Sequence, residues 1–150
     1  MKDTNIGVFV AIVAVILMFL FVWFIWGIIA GEFHYKKGVT FYNDGNYDMA
    51  ISSFNKVIEK GFSGCGSKSY FGCGVVYARQ GKYKEAIDNY SKAIEIFSID
   101  GSFYNYRAIA YYEIGDVDKA RHDFYTMRDK KLLIDPKLED LLFVGSGDEK

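Results

Sequence analysis

The residue types that most often carry chemistry are few in this 150-residue chain, and their spacing does not define a site. The two cysteines, Cys65 and Cys73, form neither a C-x-x-C nor a haem-attachment motif. The two histidines, His34 and His122, are distant from the cysteines and from each other. The sequence also has no clustered carboxylates and no Ser-His-Asp or Cys-His set. We therefore predict no metal site, no cofactor, no small-molecule substrate and no enzymatic activity.

A glycine-rich stretch, GFSGCGS, runs from Gly61 to Ser67. Phosphate-binding loops are also rich in glycine, but this stretch contains no G-x-x-x-x-G-K-[ST] and follows no predicted strand. We interpret it as a turn between helices. Whether Cys65 and Cys73 form a disulfide stays open, because a bridge requires the turn to fold back until their Cα atoms lie within about 7 Å.

Helical periodicity identifies the elements on either side of this turn. From Tyr70 to Phe97, apolar residues recur at spacings of three and four on both sides of Gly81, which is typical of two helices and a turn. Gly45 and Gly115 align with Gly81 at offsets of 36 and 34 residues. Small residues then match at Gly38, Gly74 and Ala108 and at Ala50, Ala86 and Ala120, and aromatic residues match at Phe41, Tyr77 and Tyr111 and at Phe54, Tyr90 and Phe124. The chain thus repeats one helical hairpin three times.

These columns resemble the tetratricopeptide repeat (TPR), in which a small residue, an aromatic and a G-x-Y-x-x-A segment recur with a period of about 34 residues. The resemblance covers approximately Gly31 to Arg128. It departs from the pattern at Val117, which replaces the repeat tyrosine, and at the repeat ends, where Phe62, Ser98 and Leu132 replace the common proline. The resemblance implies an all-α fold, an α-solenoid of three hairpins.

An uncharged apolar run extends from Ile6 to Ala30, with Trp23 and Trp26 towards its end. Its length exceeds the roughly 30 Å of a bilayer core, and it is too long for a usual signal-peptide core. The alternatives to a membrane span are a cleaved signal peptide and a buried helix. A buried helix that is apolar on all sides would need a larger protein around it. We predict a retained single-pass transmembrane helix that Gly31 could bend and that leads directly into the first repeat. The flanking charges nearly balance, and the short tail slightly favours an extracytoplasmic (periplasmic) repeat domain.

The sequence therefore divides into five parts. They are a short N-terminal tail (1–5), a transmembrane helix (6–30), three TPR-like repeats (31–134, with copies at about 31–62, 67–98 and 101–132), a capping helix (135–143) and a disordered tail (144–150). Asp135 and Pro136 suit the start of the capping helix, because aspartate favours the N-cap and proline the first helical position. Such a helix would cover the apolar face that the last repeat leaves exposed.

The resemblance implies that partners bind in a concave groove lined by the first helix of each repeat. The positions that correspond are Tyr35, Val39, Tyr42, Phe71, Val75, Ala78, Asn105, Ile109 and Tyr112. This surface is aromatic and aliphatic, which predicts apolar protein segments as ligands. Acidic chaperone tails are held by basic and amide side chains in some relatives, and Tyr35, Val39, Gly72, Ser102 and Tyr106 near those positions argue against such a ligand here.

Composition narrows the function further. The net charge of -1 and the pI near 6.1 argue against a nucleic-acid partner. Our leading hypothesis is a membrane-anchored adaptor or scaffold that contacts the bilayer through residues 6–30 and binds a membrane-associated partner protein. The alternative is a small structural subunit of a larger membrane complex, which would use both the transmembrane helix and the repeats as contacts.

Overall fold

The computed structural model describes residues 2–62 and 64–143. These residues form seven α-helices and contain no strand, which confirms the all-helical prediction. The helices are α1 (Lys2–Asn43), α2 (Tyr47–Lys60), α3 (Gly66–Arg79), α4 (Tyr83–Ile96), α5 (Gly101–Glu113), α6 (Val117–Asp129) and α7 (Pro136–Phe143). The predicted tail at 144–150 lies outside the described residues.

Three glycines close the hairpins, as the sequence alignment predicts. Gly45, Gly81 and Gly115 have φ values of 75°, 73° and 82°, a left-handed conformation that costs glycine little. The residue after each glycine donates its backbone N–H to a carbonyl five residues earlier, as in the bond from Lys82 to Tyr77 (2.9 Å). These turns join α1 to α2, α3 to α4 and α5 to α6 as antiparallel pairs.

The small and aromatic columns form the contacts between the paired helices. Phe54 lies so close to Gly38 and Gly72 that a Cβ atom at either glycine would come within 2.7 Å of its ring. Tyr90 approaches Gly74 in the same way. Ala50, Ala86 and Ala120 are fully buried in the second helices. The absence of side-chain volume at these positions lets the aromatic rings fill the space between the helices.

Helix α1 connects the apolar run to the first hairpin without interruption. Its 42 residues correspond to about 63 Å at about 1.5 Å per residue. The helix continues through Gly31, where the side chain of Phe62 packs so closely that a Cβ atom would lie 2.7 Å from the Phe62 Cβ. The ring of His34 stacks on Phe62 with centroids 6.2 Å apart. Gly31 therefore accommodates the turn after α2.

Most of the apolar part of α1 is exposed in the described part of the chain. It is long and apolar enough to cross a membrane, and none of its most apolar window is buried. A buried core helix would be covered by the rest of the protein, so this finding argues against that alternative. A membrane span and a signal sequence both have the observed properties.

The third hairpin contains a buried ion pair. Arg107 on α5 donates two hydrogen bonds to the carboxylate of Asp123 on α6, at 2.9 and 2.7 Å, and a third to the Ser91 hydroxyl at 2.9 Å. The Arg107 guanidinium also lies over the rings of Tyr104 and Tyr111. The pair joins both helices of the hairpin to α4.

Helix α7 packs on the end of the solenoid. Leu138 and Leu142 are buried in a core that includes Phe103 and Phe124. The Asp135 carboxylate accepts a hydrogen bond from the backbone N–H of Lys137 at 3.0 Å, which caps the helix as the sequence suggests. Helix α7 thus covers an apolar face of α5 and α6.

Candidate partner-binding groove

The first helices of the hairpins enclose two adjoining depressions. The smaller one, of about 120 Å³, lies between α1, α2 and α3. Its lining residues are Tyr35, Val39, Tyr42, Phe54, Phe71, Gly72 and Val75. Five of these residues were predicted to line the groove, and the packing of the first two hairpins brings their side chains together.

The larger depression has a volume of about 210 Å³ and continues towards the third hairpin. Its lining residues are Tyr42, Val75, Ala78, Arg79, Tyr83, Tyr90, Tyr106, Ile109 and Ala110. Because Tyr42 and Val75 line both depressions, the two form one surface, which we call the groove. The groove runs across the first helices of all three hairpins.

Phe71 lies at the centre of an aromatic cluster beneath the groove. Its ring centroid is 5.6 Å from Tyr90, 5.0 Å from Phe103 and 5.1 Å from Tyr106, the last in an edge-to-face arrangement. Such contacts hold aromatic rings in defined positions. The groove floor is therefore preorganised, and its half-buried Phe71 ring also joins the second hairpin to the third.

A polar centre interrupts the apolar lining. The Arg79 Nε donates a hydrogen bond to the Tyr42 hydroxyl at 3.0 Å. The Tyr90 hydroxyl is buried and has no hydrogen-bond partner among the described residues. Burial, together with the nearby Tyr106 and Tyr42, raises the pKa of Tyr90 well above its usual value, so its hydroxyl keeps its proton. The centre can donate hydrogen bonds from a guanidinium and accept or donate them at tyrosine hydroxyls.

Two predicted residues lie apart from the groove lining. Asn105 is buried, and its amide nitrogen donates to the carbonyls of Gly101 and Leu133 at 3.0 and 3.1 Å. Its oxygen accepts a bond from the backbone N–H of Asp135 at 3.0 Å. Asn105 thus fixes the segment between α6 and α7. Tyr112 is 37% exposed and lines neither depression.

Comparison with known proteins identifies the repeat. Residues 31–59 and 67–98 each match a family described as "Tetratricopeptide repeat". The chain contains tetratricopeptide (TPR) repeats. The two matches cover the first and second hairpins, and the third hairpin repeats their turn geometry. No curated protein matches the chain by sequence.

Solved structures share the fold of this TPR protein. The first TPR of Spaghetti (RPAP3), bound to the HSP90 peptide SRMEEVD, is 16% identical with a TM-score of 0.67, over 77% of this chain and 91% of that one. The Arabidopsis OM64 TPR domain is 16% identical with a TM-score of 0.69, over 82% and 99%. MamA is 24% identical with a TM-score of 0.63 over 68% of this chain, which spans 55% of MamA. At these identities the likeness shows the fold alone.

Sequence reasoning did not include Arg79, Tyr83, Tyr90 and Ala110 in the groove of this TPR protein. Tyr90 matches the core columns, and it does pack against Gly74, although one side of it also lines the larger depression. Arg79 is the last residue of α3 and follows the predicted Ala78 directly. A basic residue next to a predicted groove position was the available signal for Arg79.

Both cysteines are free thiols in buried positions. Cys65 donates a hydrogen bond to a carboxylate oxygen of Glu32 at 3.4 Å, and Cys73 donates to the Asn55 side-chain oxygen at 3.8 Å. The two thiols thus have separate partners. Burial raises the pKa of Cys73 from 9.0 to about 12.

We expect Cys73 to resist a maleimide at pH 8 until urea unfolds the repeats, because the reactive thiolate is suppressed and access is blocked. A Cys65→Ser variant leaves Cys73 as the single thiol for mass spectrometry. Because the pKa of Cys73 is higher in the folded than in the unfolded chain, the contribution of its thiol to the free energy of unfolding should be fully present below pH 9. This contribution should be lost as pH rises from about 9 towards 12. A Cys73→Ala variant should show less of that fall. Rapid modification of native Cys73 without urea would contradict the burial described here.

Proposed function

We propose that this TPR protein is a membrane-anchored interaction module that binds an apolar segment of a partner protein in its groove. The observation that carries the proposal is the continuity of the two depressions through Tyr42 and Val75. An extended or helical segment could lie along such a surface and contact all three hairpins. TPR domains serve as protein-interaction scaffolds, which supports a protein partner and a role without catalysis.

The anchor in this proposal is the apolar part of α1. Its large side chains are exposed along the helix, with Trp23 and Trp26 near the end at which the repeats begin. Tryptophan is enriched at membrane interfaces, which supports a retained span. Because α1 is continuous through Asn43, the anchor would hold the groove in a fixed orientation. We keep the extracytoplasmic side as the proposed location of the repeats.

The chemistry of the groove favours an apolar ligand with one polar group. Among the residues that line the two depressions, Arg79 alone carries a charge. The Spaghetti TPR was solved with the peptide SRMEEVD, which carries several acidic groups. A single exposed guanidinium would attract such an acidic peptide only weakly, because dissolved salt screens interactions between exposed charges. We therefore expect affinity that depends weakly on salt.

The test is a peptide selection on the full chain in phosphatidylcholine nanodiscs. Peptides recovered from a random display library should be rich in aliphatic and aromatic residues. Tyr42→Ala should weaken their binding by about thirtyfold, which corresponds to the roughly 2 kcal/mol of a binding hot spot. Calorimetric titration at low and high salt would give the affinities.

Tyr125→Ala is the matched control for Tyr42→Ala. Tyr125 also lies against an arginine, Arg128, with 4.8 Å between the ring centroid and the guanidinium carbon. It is on α6 and lines neither depression. Equal losses in the two variants, or a steep fall of affinity with salt, would assign binding to the charged second helices and contradict the groove proposal.

A pull-down from native membranes separates an adaptor from a permanent subunit. Recovery of a partner that exchanges and is lost on Tyr42→Ala would support the adaptor. Stoichiometric co-purification through high salt would support a structural subunit that contacts its complex through both α1 and the repeats.

A further inference from the structure

The topology places three turns at the end of the solenoid nearest the apolar run. The part of α1 that belongs to the first hairpin leads away from the apolar run. Because each hairpin is antiparallel, α2, α4 and α6 lead back towards it. The described residues of the turns that follow them are 61–62 and 64–65, 97–100, and 130–135. We call these three turns and the last helical residues before them the proximal edge.

Contacts between neighbouring turns make the proximal edge continuous. A Cβ atom on Gly66 would meet the Ile96 side chain at 3.9 Å. The Lys130 ammonium donates to the Ser98 carbonyl at 3.3 Å. The Leu133 carbonyl oxygen would lie 2.5 Å from a Cβ atom on Gly101. The start of α3 therefore lies against the end of α4, the second and third turns contact each other, and the third turn packs against the start of α5.

The proximal edge exposes large apolar side chains. The exposed fractions are 56% for Ile96, 46% for Phe97, 65% for Ile99 and 87% for Leu133. The turns at the opposite end carry mainly polar residues, namely Asp44, Asn46, Gln80, Lys82 and Asp116, with Ile114 as an apolar exception. An apolar cluster at one end only is typical of a contact surface.

The proximal edge is also joined to the proposed membrane span. A depression of about 180 Å³ lies between α1 and the turn after α2. Its lining residues are Trp23, Phe24, Trp26, Gly27, Lys60, Gly61 and Phe62. Since tryptophan prefers the depth of the lipid head groups, this turn lies at that depth if α1 spans the membrane.

We propose that the proximal edge lies on the phospholipid surface, with Phe97, Ile99 and Leu133 inserted at the boundary between head groups and acyl chains. The proposal rests on the membrane anchor proposed above. Lys60 and Lys131 are exposed and can reach lipid phosphates, whereas the neighbouring Glu59, Asp129 and Asp135 offset their charge. Binding is therefore driven by apolar insertion and does not require anionic lipid. The surface contact holds the whole solenoid against the bilayer.

The test uses tryptophan quenching by brominated phosphatidylcholine in liposomes that contain the full chain. Trp23→Phe and Trp26→Phe provide a background without native tryptophan, into which Ile99→Trp or Leu133→Trp is introduced. We expect each new tryptophan to lose roughly half of its emission, as a ring about 5–10 Å into the interface would. Ile114→Trp is the matched control, because Ile114 is an exposed apolar residue in a turn at the opposite end, and its emission should change little.

The outcomes separate this inference from the anchor. Quenching of Trp23 and Trp26 in the native chain reports the span itself, and its absence would overturn both proposals. Quenching of these two with no quenching at positions 99 and 133 would overturn the proximal-edge contact alone. Unquenched but blue-shifted emission at 99 and 133 would show that another protein or a second copy covers the edge, which also overturns the lipid contact.

Discussion

Replacement of Arg107 with leucine is expected to lower the free energy of unfolding of the repeats by about 3–5 kcal/mol, the usual cost of leaving a buried charge unpaired. Asp123 is 1% exposed, and two of the hydrogen bonds to its carboxylate come from Arg107. The leucine would also leave the Ser91 hydroxyl without this donor. Urea titration of the chain in nanodiscs, followed by circular dichroism, would measure the change.

Two further variants separate the buried charge from the loss of packing. Arg107→Leu combined with Asp123→Leu should be more stable than Arg107→Leu alone, because no unpaired charge then remains. Lys119→Ala removes the exposed ion pair with Asp116 in the same hairpin, where side chains are largely in water, and should have little effect. If Arg107→Leu and Lys119→Ala destabilise equally, the buried pair does not stabilise the hairpin as described.

The elements that local rules control were predictable from the sequence. Gly81 has a positive φ because the hairpin turn needs a left-handed residue there, and the same requirement explains Gly45 and Gly115. The repeated pairing of small and aromatic residues followed from a contact made within each hairpin. Aligning three copies therefore revealed the turns and the helices. The family resemblance added seven of the fourteen residues that line the two depressions.

Features that depend on several helices at once were beyond the sequence. The polar centre combines Arg79 and Tyr42 from two hairpins, and neither position signals the other. Asn105 occupies a column expected to face a partner, yet the segment before α7 reaches its amide group. The role of Gly31 was also hidden, because Phe62 lies in the turn after α2 and approaches Gly31 only after the hairpin closes. Such contacts are set by tertiary packing, which periodicity does not encode.

The most demanding contact in the second hairpin is the one between Gly74 and Tyr90. A Cβ atom on Gly74 would overlap the Tyr90 ring, which is buried and packs against Phe71 and Tyr106, so the ring would have to give up these contacts to move aside. Valine gains helix propensity over glycine by only a few tenths of a kcal/mol, roughly, so overlap decides the outcome. We expect Gly74→Val to lose about 3 kcal/mol, the upper end of the usual cost of overpacking.

Gly66→Val is the matched control, because Gly66 begins the same helix and its Cβ atom would meet Ile96 at an ordinary 3.9 Å. Urea titration should show little change for Gly66→Val and a large loss for Gly74→Val. If the ring is the obstacle, Tyr90→Leu should make the added cost of Gly74→Val smaller, since the ring atoms that it meets are then absent. A cost that is the same with tyrosine or leucine at position 90 would mean that the helix backbone, and not the ring, requires glycine. The double-mutant comparison therefore tests whether close approach of the two helices is the reason for the small-residue column.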